Sequence, residues 1–152
     1  MRQSLDVIDE EPSDFVDRVV GGIELDDESL HPAERFAGLA WLVVGRVSVD
    51  GWPGWIESDG HRSRKLVEGL RAMGAVGFAQ VVEEVLALYP AADSADVDTR
   101  LSGPLADDGP RRLADLERRW YRLVREQDLM GEFVAPWIVS HRREIPFSAE
   151  DL

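Results

Sequence analysis

The residues of this chain whose types and spacing could do chemistry gather in one stretch, "VSVDGWPGWIESDGHRS", residues 47–63. Glu57, Asp59 and His61 alternate along it, and two carboxylates with an imidazole are donors a divalent cation can take from one loop. Ser63 follows His61 closely, and Ser140 stands beside His141, the raw material of an activated hydroxyl. Trp52 and Trp55 could wall an aromatic ligand pocket. Each feature also has a plainer reading. Acid–histidine triples arise by chance in any acidic chain. Neither serine sits in a nucleophile motif, and Ser63 can cap the helix that follows it. His141 trails the apolar face of the last helix, and His31 precedes a proline. No phosphate-binding glycine loop is present. The absence of cysteine excludes disulfides, thiolate metal sites and cysteine nucleophiles together. The residues therefore read as those of a non-catalytic protein with no cofactor and no metal.

The same stretch reads best as a structural corner made of Asp50, Gly51, Trp52 and Trp55. Gly51 and Gly54 let the backbone turn sharply. Asp50 can cap a short segment starting at Pro53. The rings of Trp52 and Trp55 can bury against the preceding helix.

The elements that must position this corner have helical periods. Ser13 can cap a first helix with Phe15, Val16, Val19, Val20 and Ile23 on one face. Pro32 suits the first turn of a second, running from about Ala33 to Val47. Phe36, Leu39, Ala40, Val43 and Val47 share one of its faces, and Trp41, Leu42 and Val44 are apolar too. A helix apolar nearly all round is buried on most sides, so this one is expected at the centre. Leu66, Val67, Leu70 and Met73 define a third helix ending at Gly74, and Val76–Tyr89 a fourth ended by Pro90. Residues 91–109 have no clear period and read as a long polar connection. Pro110 opens a helix with Leu113, Leu116, Trp120 and Leu123 at steps of three and four. Asp128 can cap the last helix, where Pro136 marks either a kink or the true start. The expected fold is all-α, with about six main helices in one domain at 13–147, an acidic tail at 1–12 and a second tail at 148–152. Trp41, Trp120 and Trp137 are expected to be largely buried in one core.

Charge sets the outside. The net charge is −13, unevenly spread. Residues 1–31 hold ten acids and two bases, residues 83–109 seven acids and one base, and residues 110–143 five acids and eight bases. Such a surface repels nucleic acid and anionic membranes and attracts basic partners, although acidity also serves plain solubility. The arginines of 111–125 resemble a nucleic-acid stripe, but Arg111, Asp115 and Arg119 stack at i, i+4, as do Arg122 and Glu126. That spacing is expected of a solvated, ion-paired helix face. An acidic N-terminus without the apolar core of a signal peptide, and no run long enough to span a bilayer, point to a soluble cytoplasmic protein.

The order of these elements resembles the bacterial DNA-mimic protein family, long catalogued as a domain of unknown function. Its members carry a tryptophan-bearing helix running into a Val-x-Asn-Gly-Gly-Phe corner, a helix pair with a Gly-Ala junction, a Tyr-Tyr helix and a final aromatic helix. The resemblance covers about residues 33–147. Trp41 matches the helix tryptophan, and Val49, Asp50 and Gly51 match the start of the corner. Leu70, Gly74 and Ala75 match the junction, Trp120 and Tyr121 the Tyr-Tyr pair, and Trp137, Ile138 and His141 the last helix. Trp52-Pro53 departs from the usual Gly-Phe, and Arg46 stands where a glutamate is usual.

The resemblance implies a homodimer whose carboxylates imitate DNA phosphates and occupy the DNA-binding face of a transcription factor. Duplex DNA presents about one charge per 1.7 Å of axis, so an array of carboxylates can attract the same basic face. The candidate partner surface is Glu83, Glu84, Asp93, Asp96, Asp98, Asp107 and Asp108, followed by Glu24, Asp26, Asp27 and Glu28. The partner is then a basic DNA-binding protein, with no direct contact to nucleic acid or membrane. Two readings of other classes stand beside it. One is an immunity protein neutralising a basic toxin such as a nuclease. The other is an enzyme with a loop site around Trp52, Trp55 and His61.

Overall fold

A computed structural model describes residues 25–26, 28–105, 107–141 and 143–144. The expected first helix, both tails, Glu24 and Asp27 lie outside the described residues. Among the described residues the α-helices run in order α1 (Pro32–Asp59), α2 (Ser63–Ala72), α3 (Val76–Leu88), α4 (Val97–Leu101), α5 (Gly109–Glu126) and α6 (Ala135–His141). Short 3₁₀ turns at Gly60–Arg62 and Gly103–Leu105 and a π turn at Leu129–Val134 join some of them. The described residues contain no strand.

Local chemistry explains most boundaries. Pro32 begins α1 with no amide to waste, and the His31 ring accepts from the Ala33 amide at 3.0 Å. Gly74, at φ 83, ends α2 in a left-handed turn. There Ala75 N–H donates to Leu70 O and Gly74 N–H to Arg71 O, which satisfies carbonyls the helix end would otherwise orphan. Asp128 accepts from the Gly131 amide and opens the π turn, and Pro136 lies in the first turn of α6, so it marks a start.

Three expectations about elements need correction. The central helix does not stop at Val47. It continues to Asp50, kinks at Gly51 (φ 70, ψ −175) and resumes through Pro53 to Asp59. Gly51 takes a positive-φ extended conformation essentially confined to glycine, which costs another residue about 1–3 kcal/mol, and Pro53 fits the first turn of the resumed helix. The polar connection contains α4, because the Asp96 carboxylate accepts from both the amide and the hydroxyl of Thr99 and nucleates a short turn. Ser63 does not cap α2: its hydroxyl accepts instead from the Trp55 indole N–H at 2.9 Å.

The core lies between α1, α2, α3 and α5, with the π turn and α6 closing it. Its centre is aromatic. Trp52 meets Trp120 edge-on at 5.0 Å, Phe78 meets Trp120 at 5.3 Å, and Phe133 meets Phe78 at 6.1 Å. Offset and edge-on pairs match the quadrupoles of the rings and contribute beyond area burial. Trp120 is buried as expected, whereas Trp137 is only half-buried, donating to Ala33 O and lying against His141. Trp41 is the clear correction: it is 55% exposed. Among the described residues no helix packs over its side of α1, whereas Phe36, Leu39, Ala40, Val43 and Val47 face the core.

Candidate functional site

Three regions compete for the role of site. The first is the corner. Trp52 and Trp55 have no exposed surface, so their rings wall no open pocket. A Cβ on Gly51 would lie 3.0 Å from a Glu117 carboxylate oxygen on α5, so the kink is also a close approach between helices. The Tyr121 hydroxyl, also from α5, donates to Val47 O just before the kink. Asp50 turns its carboxylate toward Arg46, 3.6 Å away, instead of capping the resumed helix.

Asp59 is the unexpected residue. It is buried, with Arg62 at 2.6 Å and Arg46 at 3.4 Å. Arg62 also reaches Asp26 at 2.7 Å. Burial alone works against the Arg62 charge, but the hydrogen bonds to Asp26 and Asp59 outweigh it and raise its pKa. Asp59 is thus the anchor of an ion-pair network that ties both halves of α1 to the turn after it. This network uses up the carboxylate that the Glu57–Asp59–His61 spacing suggested for a cation. Among the described residues, no group of three or more histidines and acids is placed to hold a metal ion. Arg46, the departure from the usual glutamate, has a job here: it balances Asp59 and Asp50.

The second region is the acidic surface. Glu83 accepts two hydrogen bonds from Arg71, Glu84 pairs with Arg119 at 2.6 Å, and Asp93 pairs with Arg64 at 3.3 Å. Their charge is therefore locally offset. Asp96 is engaged as the α4 cap, and its bonds to the side chain and amide of Thr99 lower its pKa. Asp98, Asp107 and Asp108 are exposed and make no ion pair among the described residues, and the same holds for Glu28. Asp107 sits at φ 53, in the left-handed region aspartate tolerates better than most. The turn Gly103–Leu105 packs on both α4 and α5, which joins the segment bearing Asp98 to the one bearing Asp107 and Asp108. The expected ion pairs along α5 are re-dealt. Asp115 pairs with Arg118, and Arg119 reaches across to Glu84, leaving Arg111 and Arg122 without the i, i+4 partners their spacing suggested.

The third region was invisible as a site in the sequence. Trp41, Leu42, Val44, Gly45, Val49 and Met130 line an open groove of about 450 Å³ on the outer side of α1, with Arg46 and Asp50 at its margin. Trp41, Gly45 and Val49 recur every four residues, which places them on one face. That spacing was available; what it could not show was that, among the described residues, this face borders an open groove.

A kinked central helix, an aromatic core and exposed surface carboxylates define a small, all-helical, acidic domain. The chain matches the DMP19-like protein family over residues 28–141, from just before α1 to the last residue of α6, and it belongs to that family. No curated protein and no solved structure matches it. Among the described residues no helix is long and apolar enough to cross a membrane.

Proposed function

We propose that this protein is a non-catalytic DNA mimic that occupies the basic DNA-binding face of a DNA-binding protein. The observation that carries the reading is membership of the DMP19-like family, whose name fits the DNA-mimic resemblance of the helix order and corner motif. The exposed carboxylates of Asp98, Asp107 and Asp108, which make no ion pair among the described residues, support it, since charges without an internal partner are free to attract an external one. Glu83, Glu84 and Asp93 contribute less, because an arginine already accompanies each. A homodimer extends the acidic surface across a two-fold axis, and neither nucleic acid nor membrane is bound directly. Buried tryptophans and a neutralised Asp59 give the corner a supporting role without chemistry.

The test starts from the partner captured from host lysate at low salt. Its binding weakens steeply with added salt, because exposed charges are screened within about 8–10 Å at physiological ionic strength. Replacing Asp96, Asp98, Asp107 and Asp108 together by asparagine abolishes capture while the fold melts as before. Asparagine keeps the cap at position 96, so stability and binding separate cleanly. A captured toxin that binds no DNA supports immunity instead. Unchanged capture by the neutralised variant returns the acidity to a solubility role.

A further inference from the structure

Helix α4 carries part of the acidic surface yet buries none of its residues. A helix of five residues is too short to hold itself in water. Packing anchors the segment around it only at the ends. On one side Tyr89 and Ala92 are buried, and Gly60 passes so close to Ala92 O that a Cβ there would stand 2.6 Å away. On the other, Leu101 is partly buried against the core and Gly103 closely approaches Leu88 O. Between these points lie Asp93, Asp96 and Asp98, all exposed.

One side chain spans the gap. Arg100 is the single base among the seven acids of residues 83–109. It makes no ion pair among the described residues. Instead its guanidinium forks between two backbone carbonyls, one N–H donating to Ser94 O at 2.7 Å and another to Glu57 O at 2.8 Å. The first acceptor belongs to the acidic segment and the second to the last turn of α1. Carbonyls at a helix end lack partners within the helix and favour a cation, and the last turn of α1 has no basic residue of its own. The Nε of Arg100 is buried without an acceptor among the described residues, so these two bonds hold the head group. Its charge also favours the ionised form of Asp96, after the bonds from Thr99.

We propose that Arg100 is a positioning residue for the acidic surface: by tying Ser94 to Glu57 it fixes the segment bearing Asp93, Asp96 and Asp98 in the arrangement that a basic partner recognises. The inference rests on the proposed function for the identity of that partner. It deepens it by naming what makes these carboxylates a fixed array. A preorganised array binds without the cost of ordering it on contact. Charge and position act here with opposite sign. Arg100→Ala removes a cation and takes the net charge of −13 one unit further negative. Attraction by charge alone then strengthens binding to a basic partner, whereas loss of position weakens it.

The test uses the full chain, labelled, and the purified partner captured from host lysate, with affinity read by anisotropy. Arg100→Ala is expected to bind about tenfold more weakly. Arg100→Lys restores the charge without the fork that spans both carbonyls, and is expected to recover only part of the loss. Hydrogen exchange over residues 94–102 is expected to speed up by about tenfold in Arg100→Ala, while α1 and α3 exchange as in wild type. Affinity equal to or above wild type, full recovery by lysine, or unchanged exchange over residues 94–102 overturns the proposal. So does faster exchange throughout α1 and α3, which assigns Arg100 to the fold as a whole. The two readings fail separately. If the variant neutralised at Asp96, Asp98, Asp107 and Asp108 loses the partner while Arg100→Ala keeps it, the role of Arg100 falls and mimicry stands. If Arg100→Ala loses affinity but the partner holds duplex and this protein together, mimicry falls and the positioning role stands.

Discussion

Beyond its kink, helix α1 turns Trp52 and Trp55 wholly inward, whereas earlier in the same helix Trp41 stands in solvent. The two regions use similar residues to opposite ends. Around the kink the rings and charges meet one another inside the molecule, although the buried Trp52 indole N–H has no hydrogen-bond partner among the described residues. Trp55 gives its N–H to Ser63, Trp52 lies edge-on to Trp120, and Asp59 divides its charge between Arg46 and Arg62. On the outer face Trp41 and Val49 border an open groove. Partnering within the fold, more than residue type, separates the scaffold from the surface left for others. The acids divide in the same way, with Glu83 and Glu84 answered by arginines and Asp98, Asp107 and Asp108 without an ion pair among the described residues.

The largest effect belongs to the inner region. Trp120→Ala removes the ring that contacts both Trp52 and Phe78. A loss of roughly 3–5 kcal/mol is expected in urea denaturation, as for other large-to-small changes in packed cores. A loss below ~1 kcal/mol would mean the aromatic centre is not the core of the fold.

Asp59→Ala comes next. It takes a buried carboxylate away from two arginines, leaving Arg62 with Asp26 and Arg46 with Asp50, and a loss of about 2–4 kcal/mol is expected. The value falls short of a fully enclosed pair because Arg46 is partly exposed. Stability that stays at wild type, or metal-dependent stability that disappears in this variant, would return Asp59 to the role of ligand.

Tyr89 sharpens the contrast through pH. Burial, and then the charge of Glu117, push its phenol up to about 12. An unfolded tyrosine ionises near pH ~10. Between these values the folded chain keeps a proton that the unfolded chain releases, so stability declines as pH rises through the window. The contribution is whole below pH ~10 and gone above pH ~12. Tyr89→Phe flattens that decline, by about 1 kcal/mol at pH ~11 relative to wild type. Parallel pH curves for the two proteins would show that Tyr89 ionises as freely in the fold as outside it.

The smallest stability effect is expected on the outer face. Trp41→Ala shifts unfolding by no more than about 0.5 kcal/mol, the usual scale of surface changes. A loss as large as that of Trp120→Ala would place Trp41 in the core after all.

These contrasts also mark what was legible in the sequence. Helix α5 was readable because its apolar residues repeat at three and four and its outer residues are charged. Gly74 was readable because its requirement is local: a left-handed residue closes a helix. Helix α1 was misread at Trp41 because a helix apolar all round carries no period to say which side stays bare. Asp59 was misread because its partners are set by the fold. Arg46 lies thirteen positions back, and only the kink at Gly51 brings its guanidinium to the carboxylate. The candidate acids could be located from composition, but which of them are free depends on cross-helix arginines such as Arg71 and Arg119. Helix α4 was missed although its cap, Asp96 before Thr99, was in view, because five residues are too few to show a period.

The most direct measurement is displacement. The captured partner is first bound to a labelled duplex, and this protein is then titrated in while anisotropy is read. Mimicry predicts that the duplex is released to completion as the protein binds, that excess duplex reverses the effect, and that the variant neutralised at Asp96, Asp98, Asp107 and Asp108 releases none. A stable complex holding partner, duplex and protein together would contradict it.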